Sequence, residues 1–280
     1  MRGPSVVQEA DEVPEVKEQN GRVAAFFDLD GTLVARPPLE RRLFRTLRYQ
    51  KLIPLKNYFL WLKEALRLIP LGINATFETN KMYLRGLQIF DERGEGDLVV
   101  SSWHQNGHQA KGQASAPPTK RAQRNRGLPV PPFFAPAIAK LAWHANEGHA
   151  IVLLSGTLDT LAREVASALE GELAARAITA TIRVMATRLE EKDNRWTGRV
   201  LGDPMFGKAK ARAAKRLAAE MRLDLGKCYA YGDSFNDRWL MAEVGRPAAV
   251  NPSNDLAGIA RMRGWPILFW DEKESLTERQ

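Results

Sequence analysis

The sequence predicts an α/β fold: a parallel sheet with helices on both faces and a helical cap inserted into it. Three observations carry that reading. Over the second half of the chain short apolar runs alternate with helix-like stretches, the order that crossover connections turn into a parallel sheet. The first run, Val23 to Phe27, is apolar at every position, as suits a strand buried on both faces. Three runs end in polar side chains, at Asp28 and Asp30, at Ser155 and at Asp233. Open α/β sheets hold their ligands just beyond such strand ends.

After the first strand, Leu39 to Leu71 reads as two amphipathic helices broken at Pro54. Leu43 and Leu47, then Leu55, Phe59, Leu62 and Leu66, recur three or four apart or at multiples of that spacing, and we expect both stripes to pack inside a helical subdomain rather than to face a membrane. A third helix is expected over Thr76 to Ile89. From Gly94 to Pro132 Gly, Gln, Ala, Ser, Pro and basic residues dominate without helical or strand period. This stretch reads as a flexible segment, either an insert or a run whose reading frame was altered. His104 and His108 sit four apart within it, but the polar, glycine-bearing surroundings speak against a metal-binding helix, so chance is the better explanation.

Regular pattern returns at Phe134. Ala135 to Glu147 reads as a helix stopped by Gly148, and His149 to Leu154 as a strand running into Ser155-Gly156-Thr157. A helix over Leu158 to Leu169, a strand over Thr181 to Ala186 and a hairpin over Arg188 to Val200, turning at Asp193-Asn194, follow. Lys208 to Met221 is an alanine-rich helix, and Lys227 to Tyr231 a strand that ends in Gly232-Asp233. Arg238 to Val244 is expected helical, with late strands at Pro247–Val250 and Pro266–Trp270. The expected organisation is a Rossmann-like core over 22–35 and 133–271, a cap over 36–132 with its flexible part at about 94–132, and a disordered acidic tail over 1–21.

Composition narrows the setting. The 280 residues can bury one large core or two modest ones. Residues 1–20 carry two basic and five acidic side chains and show no signal-peptide pattern. The most apolar window, Tyr58 to Ile73, is interrupted by Lys63, Glu64 and Arg67 and is no membrane span. Cys228 is the single cysteine, so no internal disulfide forms and a cytoplasmic location is expected. Cys228 and His144 are expected to be packing or surface residues. The net charge of +8 is uneven: Arg36 to Arg67 holds nine basic residues against Glu40 and Glu64, and Lys111, Lys120, Arg121, Arg124 and Arg126 form a second patch. Such a surface attracts phosphorylated metabolites, nucleic acid or anionic membranes alike.

The polar strand ends carry the chemistry. Asp28 and Asp30 lie two apart, so their carboxylates share a face, and a cation is the natural way to hold them together. Taken alone, Asp-Leu-Asp-Gly-Thr could be a turn after a strand. The rest of the chain decides against that: Ser155 ends a second strand, Asp233 a third with Asn236 and Asp237 behind it, and Lys210 opens the helix before the third. Carboxylates, a hydroxyl and an ammonium on one sheet edge make a phosphoryl-transfer site.

These residues resemble the four motifs of the haloacid dehalogenase superfamily of phosphohydrolases. Asp28-Leu-Asp30-Gly-Thr32 matches the first, Leu153-Leu-Ser155-Gly-Thr157 the second, Lys210 the third and Gly232-Asp233-Ser-Phe-Asn236-Asp237 the fourth, in order. Trp196-Thr-Gly-Arg199, Ala249-Val-Asn-Pro252 and the run from Arg263 to Trp270 are similar to the phosphoserine-phosphatase-like branch, and the likeness covers 23–90 and 133–270. It implies that Asp28 is the nucleophile, that Asp30 is the general acid and base, and that Ser155, Gly156 and Lys210 bind the phosphoryl group. It implies further that Mg²⁺ is held by Asp28, the Asp30 carbonyl and Asp233, with Asp237 as a further ligand or as the residue that orients metal-bound water. Lys208 could rival Lys210 for the lysine, although the spacing to Asp233 favours Lys210.

The long interval between Asp28 and Ser155 places the cap after the first motif. Where phosphoserine phosphatases carry a Glu that grips the substrate amine, this chain has Arg36-Pro37-Pro38; Arg85 lies one residue out of register with their carboxylate-binding Arg. Arg85 therefore reads equally as a substrate ligand or an exposed helical residue. The expected function is a Mg²⁺-dependent phosphatase acting on a small phosphorylated metabolite, phosphoserine-like substrates included. The competing readings are a basic protein of the membrane surface acting on or binding lipid phosphates, and a nucleic-acid-binding module. No nucleic acid is expected, since no recognition motif accompanies the charge.

Overall fold

Strand β1 (Ala24–Phe27) shows why the sheet is covered on both sides. Ala25 and Phe27 enter one apolar cluster and Ala24 and Phe26 the other, and all four are buried. The period of two that defines a strand thus feeds two cores at once. The computed structural model describes residues 22–71, 76, 78–87 and 132–270. The expected acidic tail over 1–21, nearly all of the segment at 94–132, His104 and His108 lie outside them.

Around β1 the sheet continues with β2 (Ala150–Leu158), β3 (Ile182–Thr187), β6 (Tyr229–Gly232), β7 (Arg246–Val250) and β8 (Ile267–Leu268). The spatial order is β3-β2-β1-β6-β7-β8, parallel throughout, as the alternation of elements predicts. Phe27 pairs with Leu153 on one side and Tyr231 on the other, so the chain beyond β1, β2 and β6 emerges at the same edge.

One face is covered by α1 (Leu39–Tyr49), α3 (Ala135–Asn146) and α4 (Asp159–Ala174), whose buried Leu43, Leu141 and Leu169 join Phe27 and Leu153. The other face receives α5 (Lys208–Met221), the short α6 (Arg238–Met241) and α7 (Asn254–Arg263) through Leu217, Leu240 and Leu256. Ser253 caps α7 and Gly264 closes it in the left-handed region. The hairpin of β4 (Leu189–Lys192) and β5 (Arg195–Val200) turns at Asp193-Asn194 as predicted, both with positive φ.

The cap departs from expectation in two places. Helix α2 (Leu55–Leu68) begins after Pro54 as predicted, but its stripe of Leu55, Phe59, Leu62 and Leu66 is exposed among the described residues. The opposite side packs instead, because Asn57 is buried and donates from Nδ2 to the carbonyls of Tyr83 (3.2 Å) and Arg85 (2.7 Å). Those two bonds fix the rotation of the helix, and Ala65 follows Asn57 inward. The expected helix over Thr76 to Ile89 is also not continuous. Asn80 sends Nδ2 to the Trp61 carbonyl (2.8 Å), and the chain passes into a tight 3₁₀ turn, Met82–Leu84. Residues 88 and 89 lie outside the described part.

His144 and Cys228 pack inside the fold as expected, both fully buried. His144 shares hydrogen bonds with the Tyr231 hydroxyl (3.0 Å) and His149 Nδ1 (2.9 Å) and touches the edge of Phe27. Burial, then His149 and Lys140, push its imidazole down to about 3. A base whose native value is depressed is neutral when folded and takes a proton when unfolded. Its contribution is therefore constant above about pH 6.5 and is lost as pH falls toward 3. The loss of unfolding free energy between pH 7 and pH 5, measured by denaturant titration, is expected to shrink by about 1–2 kcal/mol in His144→Gln.

Candidate active site

The edge at which β1, β2 and β6 end holds a cavity of about 560 Å³. Asp28 leaves β1, its backbone N–H donating to the Tyr231 carbonyl at 2.9 Å, and its carboxylate is buried in the cavity wall. Lys210, in the first turn of α5, reaches it: Nζ stands 2.6 Å from Asp28 Oδ1 and 2.6 Å from Asp237 Oδ1. The other oxygen of Asp237 accepts from the backbone N–H (2.9 Å) and the hydroxyl (2.7 Å) of Ser234. Lys210 is buried, and its two acids hold its ammonium above the ordinary lysine range against the opposing effect of burial. Lys208, by contrast, is exposed and lies over the Trp239 ring, so the geometry distinguishes the two lysines.

Asp233, at the end of β6, completes an acidic group: Asp28, Asp233 and Asp237 each place a carboxylate oxygen within 4.8 Å of the others. The Arg36 guanidinium bonds Asp233 Oδ2 from the cavity mouth. Gly31 makes the close approach possible, since with φ at +89° a Cβ there would stand 2.1 Å from Asp233 Oδ2. Even with Lys210 and Arg36 present the acids are crowded. Burial foremost holds the Asp28 carboxyl well above the carboxylate range despite Lys210, with Asp237 and Asp233 adding to it. Burial and Asp237 push Asp233 up to about 6. An all-oxygen group with surplus negative charge fits a hard divalent cation such as Mg²⁺.

Asp30 is placed apart from these three and held differently. Oδ1 accepts the backbone N–H of Leu39 (2.8 Å), the first residue of α1, and Oδ2 accepts the Thr157 hydroxyl (3.0 Å). Burial raises its carboxyl, and those two bonds only partly oppose the rise. A carboxyl raised in this way by burial is suited to give and take a proton.

Ser155 belongs to β2 itself, which runs on through an irregular stretch between Ser155 and Leu158. The Thr187 hydroxyl fixes that stretch by donating to the Gly156 carbonyl at 2.7 Å. The Ser155 hydroxyl is buried in the cavity wall and accepts the Thr157 N–H at 3.2 Å. A Cβ at Gly156 would stand 2.2 Å from the Phe206 ring that closes this side, so a larger residue there would require that ring to move.

A model of the haloacid dehalogenase-like hydrolase family matches residues 25–242. The chain belongs to that family. A protein of Mycobacterium tuberculosis described as a probable phosphatase is 35% identical over 150 residues, which are 54% of this chain and 48% of that one. A phosphoserine phosphatase of the same species is 35% identical over 124 residues, 44% of this chain and 37% of its own length. The chain thus spans about half the length, or less, of the curated relatives it matches. Among solved structures, a protein of unknown function from Bordetella pertussis Tohama I superposes with a TM-score of 0.59 at 25% identity, covering 89% of this chain and 99% of that one.

The haloacid dehalogenase-like motifs therefore meet at one place: Asp28, Asp30, Ser155, Gly156, Lys210 and Asp233 share the cavity wall, with Asp237 directly behind Lys210. Arg85 does not join them. Its carbonyl is held by Asn57 and its side chain is exposed, outside the walls of this cavity. The sequence reading missed three participants, Thr157, Arg36 and Phe206. Thr157 had a signal, as a second hydroxyl just past Ser155. Arg36 and Phe206 had none, for their partners lie 197 residues away at Asp233 and on another strand at Gly156.

Proposed function

We propose that the chain is a Mg²⁺-dependent phosphomonoesterase that passes through an aspartyl-phosphate on Asp28, with a small phosphorylated metabolite as substrate. The observation that carries the reading is Lys210 bridging Asp28 and Asp237 at 2.6 Å each, inside a cavity that also presents Asp30, Ser155 and Asp233. The names of the Mycobacterium tuberculosis relatives support it.

An oxygen of Asp28 attacks phosphorus; the new O–P bond forms as the bond from phosphorus to the leaving oxygen breaks. Asp30 gives a proton to that leaving oxygen, and its burial favours the protonated carboxyl this step needs. Lys210 and the Ser155 hydroxyl hold the phosphoryl oxygens while charge redistributes. In the second half Asp30, now a carboxylate, takes a proton from water; the water oxygen bonds phosphorus, the Asp28 O–P bond breaks, and inorganic phosphate leaves. Asp28, Asp233 and the Asp30 carbonyl would hold the cation, with Asp237 adding its charge and keeping Lys210 in place. When bound, the cation neutralises the acids so that an anionic phosphate can approach Asp28.

With Mg²⁺ present, hydrolysis of phosphomonoesters is expected, and Asp28→Asn should lower kcat roughly 10³-fold or more, read as released phosphate. Undiminished turnover by that variant would remove Asp28 from the nucleophile's role.

A second reading, that the cap rests on an anionic membrane surface, is favoured by one observation. Leu55, Phe59, Leu62, Leu66 and Ile69 form a row of exposed apolar side chains on and just beyond α2, with exposed Lys56, Lys63 and Arg67 along it. Such a helix suits an interface in which the apolar side enters the headgroup layer and the cations meet acidic lipid. The protein is expected to sediment with vesicles containing phosphatidylserine at low salt and not with pure phosphatidylcholine, and Phe59→Glu should release it. Absence of binding to either vesicle would refute the reading.

A further inference from the structure

We infer that the leaving group of the substrate is a flat apolar group of aromatic type, held in a second cavity that opens beside the catalytic one. The inference rests on the phosphomonoesterase reading and names its substrate class. The second cavity measures about 630 Å³, within the range of small-molecule pockets. Phe44 from α1, Tyr58 and Trp61 from α2 and Tyr83 from the 3₁₀ turn line it. Phe206 stands at the boundary, and with Glu40 and Arg41 it forms wall common to both cavities. A phosphate seated at Asp28 and Lys210 therefore has its ester oxygen in the first cavity and a route for the attached group into the second.

Four charged residues, Glu40, Arg41, Glu78 and Lys81, stand in the wall of the second cavity. Glu40 accepts from Lys81 Nζ at 2.6 Å and from the Tyr83 hydroxyl at 2.9 Å, with Lys81 buried. Phe44 meets Tyr83 edge to face at 5.3 Å. The rings of Phe44, Tyr58, Trp61 and Tyr83 in that wall favour another ring through offset and edge contacts. An amino-acid leaving group such as serine would need a carboxylate for its ammonium and a cation for its carboxylate. Glu40 is committed to Lys81 and Tyr83, and Arg85 is exposed outside the catalytic cavity wall. That leaves Arg41 and Glu78 as the charged groups of the second cavity open to such a substrate, against the rings of Phe44, Tyr58, Trp61 and Tyr83.

The test compares benzyl phosphate with ethyl phosphate and O-phosphoserine, all alkyl esters, so that the wall contact rather than the acidity of the leaving alcohol is read. The wild-type protein with Mg²⁺ is expected to show a kcat/KM for benzyl phosphate at least tenfold above the other two, chiefly through KM. In Trp61→Ala and Phe44→Ala the ratio of benzyl to ethyl phosphate should fall about tenfold, ethyl phosphate turnover in the same sample reporting that the variant is folded. Equal or better use of ethyl phosphate or phosphoserine by the wild type would overturn the inference and leave the phosphomonoesterase reading standing. So would a ratio unchanged in both folded variants. Hydrolysis of none of the three esters would overturn both.

Discussion

A buried ammonium between two buried carboxylates organises this molecule. Lys210 joins Asp28 at the end of β1 to Asp237 beyond β6, so it ties α5 to two neighbouring strands at the edge where they finish. Neither partner can be dropped cheaply: a buried ion left without its opposite costs on the order of 3–5 kcal/mol. The same arrangement is what a phosphate would meet. Lys210 answers two acids and Arg36 bonds the third, Asp233, so two cations face three carboxylates, and the surplus negative charge is the property that makes a divalent cation fit.

The cap is joined to this centre by the acid itself. Asp30 accepts the N–H of Leu39, placing a carboxylate at the start of α1 where the helix dipole and an otherwise unsatisfied donor both favour it. Glu40, one residue on, is tied to Lys81 and Tyr83 across the cap. A chain of contacts therefore runs from the proposed proton donor to the aromatic cavity. The hairpin strengthens the link from the other side, since Gly86 and Leu87 exchange backbone hydrogen bonds with Trp196 at 2.7 and 3.1 Å.

Much of the core was legible because its signals are local. Five apolar residues before Asp28 suit a doubly buried strand, and the alternation of elements points to a parallel sheet; the structure shows both. Lys210 was legible from spacing, though only its burial separates it from Lys208. The cap was less so. A leucine every third or fourth residue defines a stripe on α2 but not the direction it faces; a single buried amide, Asn57, sets that direction by binding two carbonyls more than 25 residues away. The interruption near Asn80 has the same origin, a polar side chain spending its hydrogen bond on a distant carbonyl. Arg85 read equally as a ligand or an exposed residue by position in the sequence, and the structure leaves it exposed just after the 3₁₀ turn.

The central claim is that the acids of β1 and β6 surround one cation beside Lys210. Crystals grown with Mn²⁺ in place of Mg²⁺ test this directly by anomalous scattering. The account predicts one peak within bonding distance of carboxylate oxygens of both Asp28 and Asp233. A saturated crystal with no peak there, or with its metal held away from Asp28, would contradict it.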